Sequence, residues 1–429
     1  MARLRPVLHF TPERGWMNDP HGVVWARGEY HLFYQANPAT TQWAQPIEWA
    51  HAVSADLVSW RDLGTSLAPE PGEEGCWSGS VVIDDDGSPQ LFYTRPKPGD
   101  WQHGQVVGAS GSADLHEWLR WPGVPVVDGP ATTGLPLFDF RDPQVRREGD
   151  GWRMVVGAGL RGVGGAAVQY RSRDLRDWQF DTLLCSRESG GELDMGTVWE
   201  CPQFLEVDGR WVLLFSAMDG QRLTRASYAL GDYDGQVFTP THWGVLEPTG
   251  TAYATTTFRD DLGRPCMMSW LKETSEGVGE DSGWASAQSV VAVLQVSAGK
   301  LTAVPHPNLN RHLPAYADFE GKLKSEVGRA FVLDVSLGST SGLDLVVAGE
   351  RPWRLRFDPE LGELRVEDKS GAVRALKVDS ELGDTRVIVD ADICEVYAAR
   401  QEGFIAFRVP SNPAARITAI AQRGRLSII

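Results

Sequence analysis

Hydrophobic residues in the first 300 positions occur in short runs that recur at a regular interval. A glycine followed by an apolar, strand-like run appears five times, with spacings of 59, 64, 58 and 54 residues, at Gly28, Gly87, Gly151, Gly209 and Gly263. Each interval holds several runs rich in Val, Phe, Tyr and Trp, broken by Gly, Asp and Pro and without a sustained helical period. Such repeats are typical of β-propeller blades. We therefore predict five blades over residues 1–300.

The rest of the chain has a different pattern, in which apolar and polar residues alternate between turn residues. Examples are Ala330–Leu337, Trp353–Phe357, Arg386–Asp390 and Phe404–Val409. Alternation is typical of strands with one buried face, and several such strands in about 115 residues favour a two-sheet β-sandwich. The sequence thus predicts an all-β protein, with a five-bladed β-propeller catalytic domain over 1–300 and a β-sandwich domain over 314–429. We expect the sandwich to support the propeller without carrying catalytic groups.

Composition and charge exclude several classes of function. The net charge is −16, which argues against nucleic acid or an anionic membrane as a partner and favours a neutral ligand. Five scattered cysteines and nine histidines show no metal-ligand spacing, so we predict no metal, no cofactor and no disulfide framework. No apolar run of signal-peptide length begins the chain, and unpaired thiols suit a reducing compartment. We expect a cytoplasmic protein, and its oligomeric state stays open.

Tryptophan is unusually abundant, with 17 residues in the chain. Its large flat ring packs well in cores, and the same flat face can cover the C–H face of a sugar. Core packing is the default use of most of these residues. The others, together with the charge balance, favour a neutral sugar as the ligand.

One position of the repeat carries an acidic residue in three of the five copies. Nine residues before each glycine the chain has Asp19, Ser78, Asp142, Glu200 and Ala254. Equivalent positions of propeller blades face one another across the central channel, so we predict that the three carboxylates meet there. An acid before proline can form a turn, but a cluster of carboxylates is costly because like charges disfavour ionisation. Three acids at one register therefore point to chemistry.

Glycoside cleavage is a reaction that needs two carboxyl groups, one ionised and one protonated. The two groups lie about 5–5.5 Å apart in retaining enzymes and about 6.5–9.5 Å apart in inverting ones, and the residues alone do not choose between them. The third carboxylate, Asp142, follows Arg141. We expect this guanidinium to hold Asp142 ionised, so that Asp142 can bind sugar hydroxyls.

Four segments, in order, resemble the signature segments of the invertase family (β-fructofuranosidases, glycoside hydrolase family 32). They are Trp16–Gly22, Trp77–Ser80, Phe140–Pro143 and Trp199–Pro202. The resemblance implies a five-bladed propeller followed by a β-sandwich, and cleavage of β-fructosides with retention. It is interrupted where the family more often has Asn, Asp and Phe, at His21, Thr251 and Ala252.

Roles for individual residues follow from this resemblance. Asp19 is the expected nucleophile, Glu200 the general acid/base, and Asp142 with Arg141 the pair that stabilises the transition state through the fructosyl hydroxyls. The positions that match the lining of the fructose pocket are Asn18, Gln35, Trp43, Trp77, Ser78, Arg141, Tyr253 and Trp270.

The sequence therefore predicts a glycosidase that releases the terminal β-fructofuranosyl unit of sucrose or a short fructo-oligosaccharide through a covalent fructosyl-enzyme intermediate. A fructosyltransferase or an exohydrolase of levan or inulin on the same scaffold would use the same acids, so both stay open. A sugar-binding propeller without catalysis is the alternative from another class. Sucrose-6-phosphate is a further candidate substrate, because Arg95 and Lys97 follow a strand of the second blade.

Overall fold

A computed structural model describes residues 3–123, 125–191, 193–273, 282–314, 316–368, 371 and 373–429. These residues are almost all in strands and turns, with two 3-10 helices, Gly129–Thr132 and Pro307–His312. The all-β class predicted from the hydrophobic pattern is confirmed. Within the described ranges, no helix has the length and apolar character needed to cross a bilayer.

The first four units of the fold are antiparallel and follow one another along the chain. The first contains β1 to β4, at Gly15–Ala26, Glu29–Asn37, Glu48–Ser54 and Arg61–Leu67. The second contains β5 to β8, at Trp77–Ile83, Pro89–Lys97, Asp100–Gly111 and Trp118–Arg120. The third contains β9 to β12, at Leu137–Glu148, Gly151–Leu160, Gly164–Ser172 and Gln179–Ser186. The fourth contains β13 to β16, at Val198–Val207, Arg210–Asp219, Arg222–Tyr233 and Phe238–Val245. A single parallel pair, His103 with Phe140, joins the second unit to the third.

The fifth unit is built from shorter strands, and one neighbouring segment returns to the first unit. Its strands β17, β18, β20, β21 and β22 are Ala252–Arg259, Pro265–Leu271, Ala287–Gln288, Ala292–Ser297 and Lys300–Pro305, and β19 is Trp284–Ala285. β19 runs parallel to β1, with Trp284 opposite Gly15 and Ala285 opposite Trp16. A late segment of the chain therefore completes the first sheet.

The first strands of the five units contact one another in a closed ring. β1 contacts β5 and β17, β9 contacts β5 and β13, and β13 contacts β17. The strand pairing of each is interrupted by a bulge or irregularity, between Met17 and Pro20, Trp77 and Gly79, Arg141 and Gln144, Glu200 and Gln203, and Tyr253 and Thr256. Bulges redirect side chains and are frequent next to active sites. These five lie at the position of the repeat that carries the acids.

The last ten strands form one sheet organised around the long strand β32. Strands β23 to β32 are Tyr316–Val327, Ala330–Leu337, Leu343–Ala348, Trp353–Asp358, Glu363–Asp368, Val373–Lys377, Gly383–Asp390, Ile393–Ala398, Ile405–Arg408 and Ala415–Ile428. The first half of β32 pairs with β25 and its second half with β24. The strands on both sides of β32 bury side chains in one core, to which Phe331, Leu355 and Val387 belong.

Apolar and charged contacts attach the last ten strands to the rest of the chain. Val332 and Ile388 share a core with Tyr228 of the fourth unit. The buried His9 ring lies between two carboxylates, with Nδ1 2.9 Å from Asp390 and Nε2 3.3 Å from Glu395. Asp390 also accepts hydrogen bonds from the backbone N–H groups of Val7, Leu8 and His9. The segment that leads into β1 is thus held by the C-terminal strands.

Candidate active site

Three strands of the ring supply the three predicted acids, Asp19 on β1, Asp142 on β9 and Glu200 on β13. Asp142 and Cys201 have φ values of +64° and +48°, a region that costs a non-glycine residue energy and is typical of functional sites. The Cys201 thiol lies 3.5 Å from Oδ2 of Asp19 and 3.5 Å from Oδ2 of Asp142. The ring thus brings together carboxylates that are far apart in the sequence.

Asp19 is held in a closed circuit of hydrogen bonds. Nδ2 of Asn18 donates to Oδ1 of Asp19 at 3.0 Å and to Oε1 of Gln35 at 2.6 Å. Gln35 Nε2 donates to the Ser78 hydroxyl at 2.6 Å, and this hydroxyl donates to Oδ2 of Asp19 at 2.6 Å. Burial and, less strongly, nearby Glu200 raise the pKa of Asp19 to about 6, although the Ser78 and Asn18 hydrogen bonds oppose the rise. The circuit therefore favours the carboxylate form.

Steric contacts explain why the third residue of the Trp77–Ser80 motif, Gly79, is a glycine. An added Cβ at Gly79 would lie 1.9 Å from the carbonyl oxygen of Phe92, on the neighbouring strand β6. Only glycine allows the two backbones to approach so closely at the bulge of β5. Ser78, next to this glycine, reaches Asp19 as a result.

Arg141 binds a partner that the sequence reasoning missed. Its Nε and Nη2 atoms donate to the two oxygens of buried Asp139 at 2.8 and 2.7 Å. Side chains alternate along a strand, so residue 141 shares a face with residue 139 and not with residue 142. Burial, Glu200 and Asp19 together raise the pKa of Asp142 to about 8, although Arg141 lowers it. Arg141 thus opposes the rise in the pKa of Asp142, as expected, while its short hydrogen bonds go to Asp139.

Each oxygen of the Glu200 carboxylate has a donor. Tyr253 OH donates to Oε2 at 2.6 Å, and Arg141 Nη1 lies 3.4 Å from Oε1. Tyr253 reaches Glu200 from the bulge of β17, and Thr251 and Ala252 before it do not prevent this contact. These donors fix the orientation of Glu200 towards the other two acids.

Aromatic side chains surround the acids. Trp16, Trp77, Tyr253 and Trp270 belong to one buried cluster with Cys201. The Arg141 guanidinium lies 5.1 Å from the ring centroid of Trp77, and Trp270 Nε1 donates to the Ser286 hydroxyl at 3.0 Å. Of the four aromatic residues predicted to line the pocket, Trp43 is the one outside this cluster. It lies at the outer edge, 46% exposed, with its ring 6.3 Å from that of Trp101.

Three further residues position the acids. Asp139 binds Arg141, Cys201 donates its backbone N–H to Asp142 Oδ2 at 2.9 Å, and Thr94 accepts the backbone N–H of Asp142 at 2.7 Å. Alternation along β9 was a sufficient signal for Asp139. Cys201 lies within the Trp199–Pro202 motif, but its contacts with the acids depend on its positive φ, which the sequence does not reveal.

The two basic residues considered for phosphate are occupied. Lys97 Nζ lies 2.8 Å from the Asp128 carboxylate. Arg95 donates to Gln105 Oε1 at 2.9 and 3.2 Å. Both cations therefore have partners within the second unit.

The described residues include one group with the composition of a metal site, Asp260, Cys266 and His306, whose ligand atoms lie within 4.8 Å of one another. The sequence spacing did not predict this group. Arg264 donates to Asp260 at 2.6 Å, and His306 Nε2 lies 3.1 Å from the same oxygen. Two side chains thus already occupy the carboxylate oxygen that a cation would bind.

Two concavities lie outside the acid cluster. The larger, of about 870 Å³, is bordered by the β22 region and β23, β24 and β29, and its Arg386 and Arg425 are paired with Asp334 and Asp318. The smaller, of about 340 Å³, includes Leu223, which packs against the aromatic cluster of the site. The smaller concavity therefore borders the aromatic cluster, and neither of the two is lined by Asp19, Asp142 or Glu200.

Comparison with known families matches residues 9–305 to the Glycosyl hydrolases family 32 N-terminal domain. The sucrose-6-phosphate hydrolase of Zymomonas mobilis is 33% identical over 328 residues, which are 70% of this chain and 61% of that protein. The corresponding Escherichia coli protein is 31% identical over 324 residues, 70% of this chain and 64% of that one. The matched region is thus less than two thirds of these relatives' length.

Solved structures extend the similarity over nearly the whole chain. The Bombyx mori beta-fructofuranosidase in complex with sucrose is 27% identical, with a TM-score of 0.83 over 99% of this chain and 93% of that one. The sucrose-6-phosphate hydrolase from Lactobacillus gasseri, at 24% identity, has a TM-score of 0.85 over the same shares. The second likeness shows the fold alone.

Proposed function

The chain belongs to glycosyl hydrolases family 32, and on this premise we propose that it is a retaining β-fructofuranosidase. It would release the terminal β-fructofuranosyl unit of sucrose or a short fructo-oligosaccharide. The observation that carries the proposal is the set of three carboxyls from three strands of the ring, with Asp19 held by Asn18 and Ser78. The family predicted from the sequence motifs is confirmed.

We also propose the finer architecture that the sequence predicts, a five-bladed propeller over 1–300 and a β-sandwich over 314–429. The closed ring of five first strands supports the propeller. The common core on both sides of β32 supports the sandwich. The 3-10 helix Pro307–His312, which follows the last strand of the fifth unit, supports a boundary between the two domains at this point.

In the first step, an Asp19 oxygen attacks the anomeric carbon of the fructosyl unit. The carbon–oxygen bond to the leaving group breaks as an ester bond to Asp19 forms, and Glu200 gives its proton to the departing oxygen. The hydrogen bonds from Ser78 and Asn18 hold the attacking carboxylate in one orientation. Tyr253 and Arg141 hold the carboxyl of Glu200.

In the second step, Glu200 takes a proton from water, and the resulting nucleophile attacks the same carbon. Fructose leaves with retained configuration and Asp19 is regenerated as a carboxylate. Asp142 contacts the fructosyl hydroxyls in both steps. Burial and the neighbouring Glu200 and Asp19 raise the pKa of Asp142, which favours the protonated form that can donate a hydrogen bond to a sugar hydroxyl.

Sucrose is the substrate that we favour. A beta-fructofuranosidase with this fold has been solved in complex with sucrose. Sucrose-6-phosphate is the alternative suggested by the names of two relatives, but Arg95 and Lys97 are already paired. Fructosyl transfer and exo-cleavage of levan or inulin use the same acids. We also propose a cytoplasmic location, because all five cysteines are free thiols in buried positions.

The test is product analysis after incubation with sucrose, sucrose-6-phosphate, inulin and levan. We expect glucose and fructose in equal amounts from sucrose, with the β-anomer of fructose appearing first by NMR. An excess of glucose together with a trisaccharide would indicate transfer. If inulin, levan or sucrose-6-phosphate were cleaved at least ten times faster than sucrose, that compound would be the preferred substrate. If no fructose were released from any of the four compounds, the proposal would be refuted.

A further inference from the structure

Two of the three exposed tryptophans in the described part of the chain lie side by side at the outer edge of the site. Trp43 and Trp101 are 46% and 39% exposed, whereas Trp77 is 7% exposed. The Trp101 ring is edge-on to both others, with centroids 6.3 Å from Trp43 and 6.1 Å from Trp77. Trp77 in turn lies next to the guanidinium of Arg141. A continuous aromatic surface therefore runs from Arg141 to the solvent.

Trp101 is held in place although its ring is exposed. Its indole N–H donates to the carboxylate of Glu74, which comes from the segment before β5. Single exposed tryptophans are ordinary, but adjacent exposed rings that continue the aromatic cluster of the site indicate a ligand surface. The hydrogen bond to Glu74 fixes the ring and leaves more than a third of it in contact with solvent.

The charges around Trp101 do not suit an anion. Near Trp101, the Lys97 ammonium is paired with Asp128 and the His103 ring lies beside Asp100, each at 2.8 Å. Among the ion pairs found in the described ranges, none involves Glu74. Its carboxylate therefore faces the rim without a compensating cation, and it accepts hydrogen bonds from hydroxyl groups while repelling phosphate.

We infer that Trp101 and Glu74 form the binding site for the leaving-group sugar, and that this site selects a neutral hexose unit over a phosphorylated one. The inference rests on the proposed function, since the leaving group is defined by the fructosyl unit beside Asp19. That unit lies next to Trp77, and the following sugar extends outward to stack on Trp101. Glu74 accepts a hydrogen bond from one of its hydroxyls. Trp101 thus determines specificity and takes no part in bond cleavage.

The experiment compares the full-length wild type with Trp101→Ala and Trp101→Phe. Kinetics are measured on sucrose and on methyl β-D-fructofuranoside, whose leaving group is too small to reach Trp101. We expect Trp101→Ala to lower kcat/KM on sucrose about tenfold, mainly through KM, with methyl fructoside changed less than about twofold. Trp101→Phe should retain most of the activity on sucrose. Trp25→Ala removes the third exposed tryptophan, on β1, and is the matched control that should leave both substrates unchanged.

A second comparison tests the charge selectivity. Glu74→Gln should raise the kcat/KM ratio of sucrose-6-phosphate to sucrose about fivefold or more, because it removes the repelling charge. Equal losses on sucrose and methyl fructoside in Trp101→Ala, or no loss on either, would overturn the inference alone, as would an unchanged ratio in Glu74→Gln. A wild type that cleaves none of the three substrates would overturn the proposed function and this inference with it.

Discussion

Removal of the Ser78 hydroxyl should shift the pH dependence of the enzyme without removing any acid. Ser78 donates to Oδ2 of Asp19 at 2.6 Å, and this hydrogen bond opposes the burial that raises the pKa of Asp19 to a net value of about 6. In Ser78→Ala the ionised form of Asp19 loses a hydrogen bond that stabilises its charge, whereas the protonated form of Asp19 loses a weaker interaction. The pKa of Asp19 must therefore rise.

The size of the shift follows from the strength of the bond. A hydrogen bond to a charged group contributes about 1.5–3 kcal/mol, and one pKa unit corresponds to about 1.4 kcal/mol. Asp19 is only partly shielded from solvent, so the lower end applies, and we expect a shift of about one unit. The nucleophile must be ionised, so activity falls as the pH drops through its pKa. The acid limb of the variant should then lie about one pH unit above that of the wild type.

The assay is kcat/KM on sucrose from about pH 4.5 to pH 9 for the wild type and Ser78→Ala. Ser80→Ala is the matched control, because Ser80 is also buried and its hydroxyl accepts the backbone N–H of Val145 at 3.0 Å. Its acid limb should coincide with that of the wild type. If Ser78→Ala lowered activity by the same factor at every pH, the reasoning about Asp19 would be refuted.

Three further predictions concern single side chains. Asp19→Asn should reduce sucrose turnover at least about a thousandfold with an unchanged melting temperature, because an amide cannot form the glycosyl ester, and more than a tenth of wild-type kcat would disprove the nucleophile. Asp139→Asn should lower kcat about tenfold or more, because Arg141 loses its bidentate partner, whereas Asp85→Asn, at an exposed ion pair with Arg147, should match the wild type. Burial lowers the pKa of His9, but Glu395 and Asp390 more than offset this and raise it to about 9. The contribution of His9 to the stability of the fold should therefore be fully present below about pH 6.5 and be lost as the pH rises through 9. Thermal melting as a function of pH measures this loss, and the melting temperature of His9→Gln should depend less on pH.

The repeat in the sequence was enough to predict which acids meet. Each unit contributes its first strand to the ring, so residues at one register of the repeat occupy one level of the fold. Asp19, Asp142 and Glu200 are brought together for this reason. The hydrophobic pattern also predicted the all-β class, because strands with one buried face alternate regularly.

The partners of these acids could not be predicted in the same way. Bulges interrupt the alternation at each site strand, and they decide which side chain turns towards a neighbour. On β9 the alternation itself is informative, because Arg141 binds Asp139 on the same face and not the adjacent Asp142. Trp101 illustrates a second limit. The abundance of tryptophan suggests that some of these residues bind sugar, but only the folded structure shows that Trp101 is exposed while most other tryptophans are not.

The pairing of β19 with β1 has a consequence for biosynthesis. Gln288 Nε2 donates at 2.7 Å to the carbonyl oxygen of Asn18, across 270 residues of chain. A ribosome adds about 5–20 residues per second, so the segment that fixes the nucleophile's strand emerges roughly 14–54 s after Asn18. A nascent chain halted before Trp284 contains all three acids but lacks the strand that completes the first sheet. Hydrolysis should therefore begin only after this segment has left the ribosome, as a ladder of stalled chains of increasing length would show.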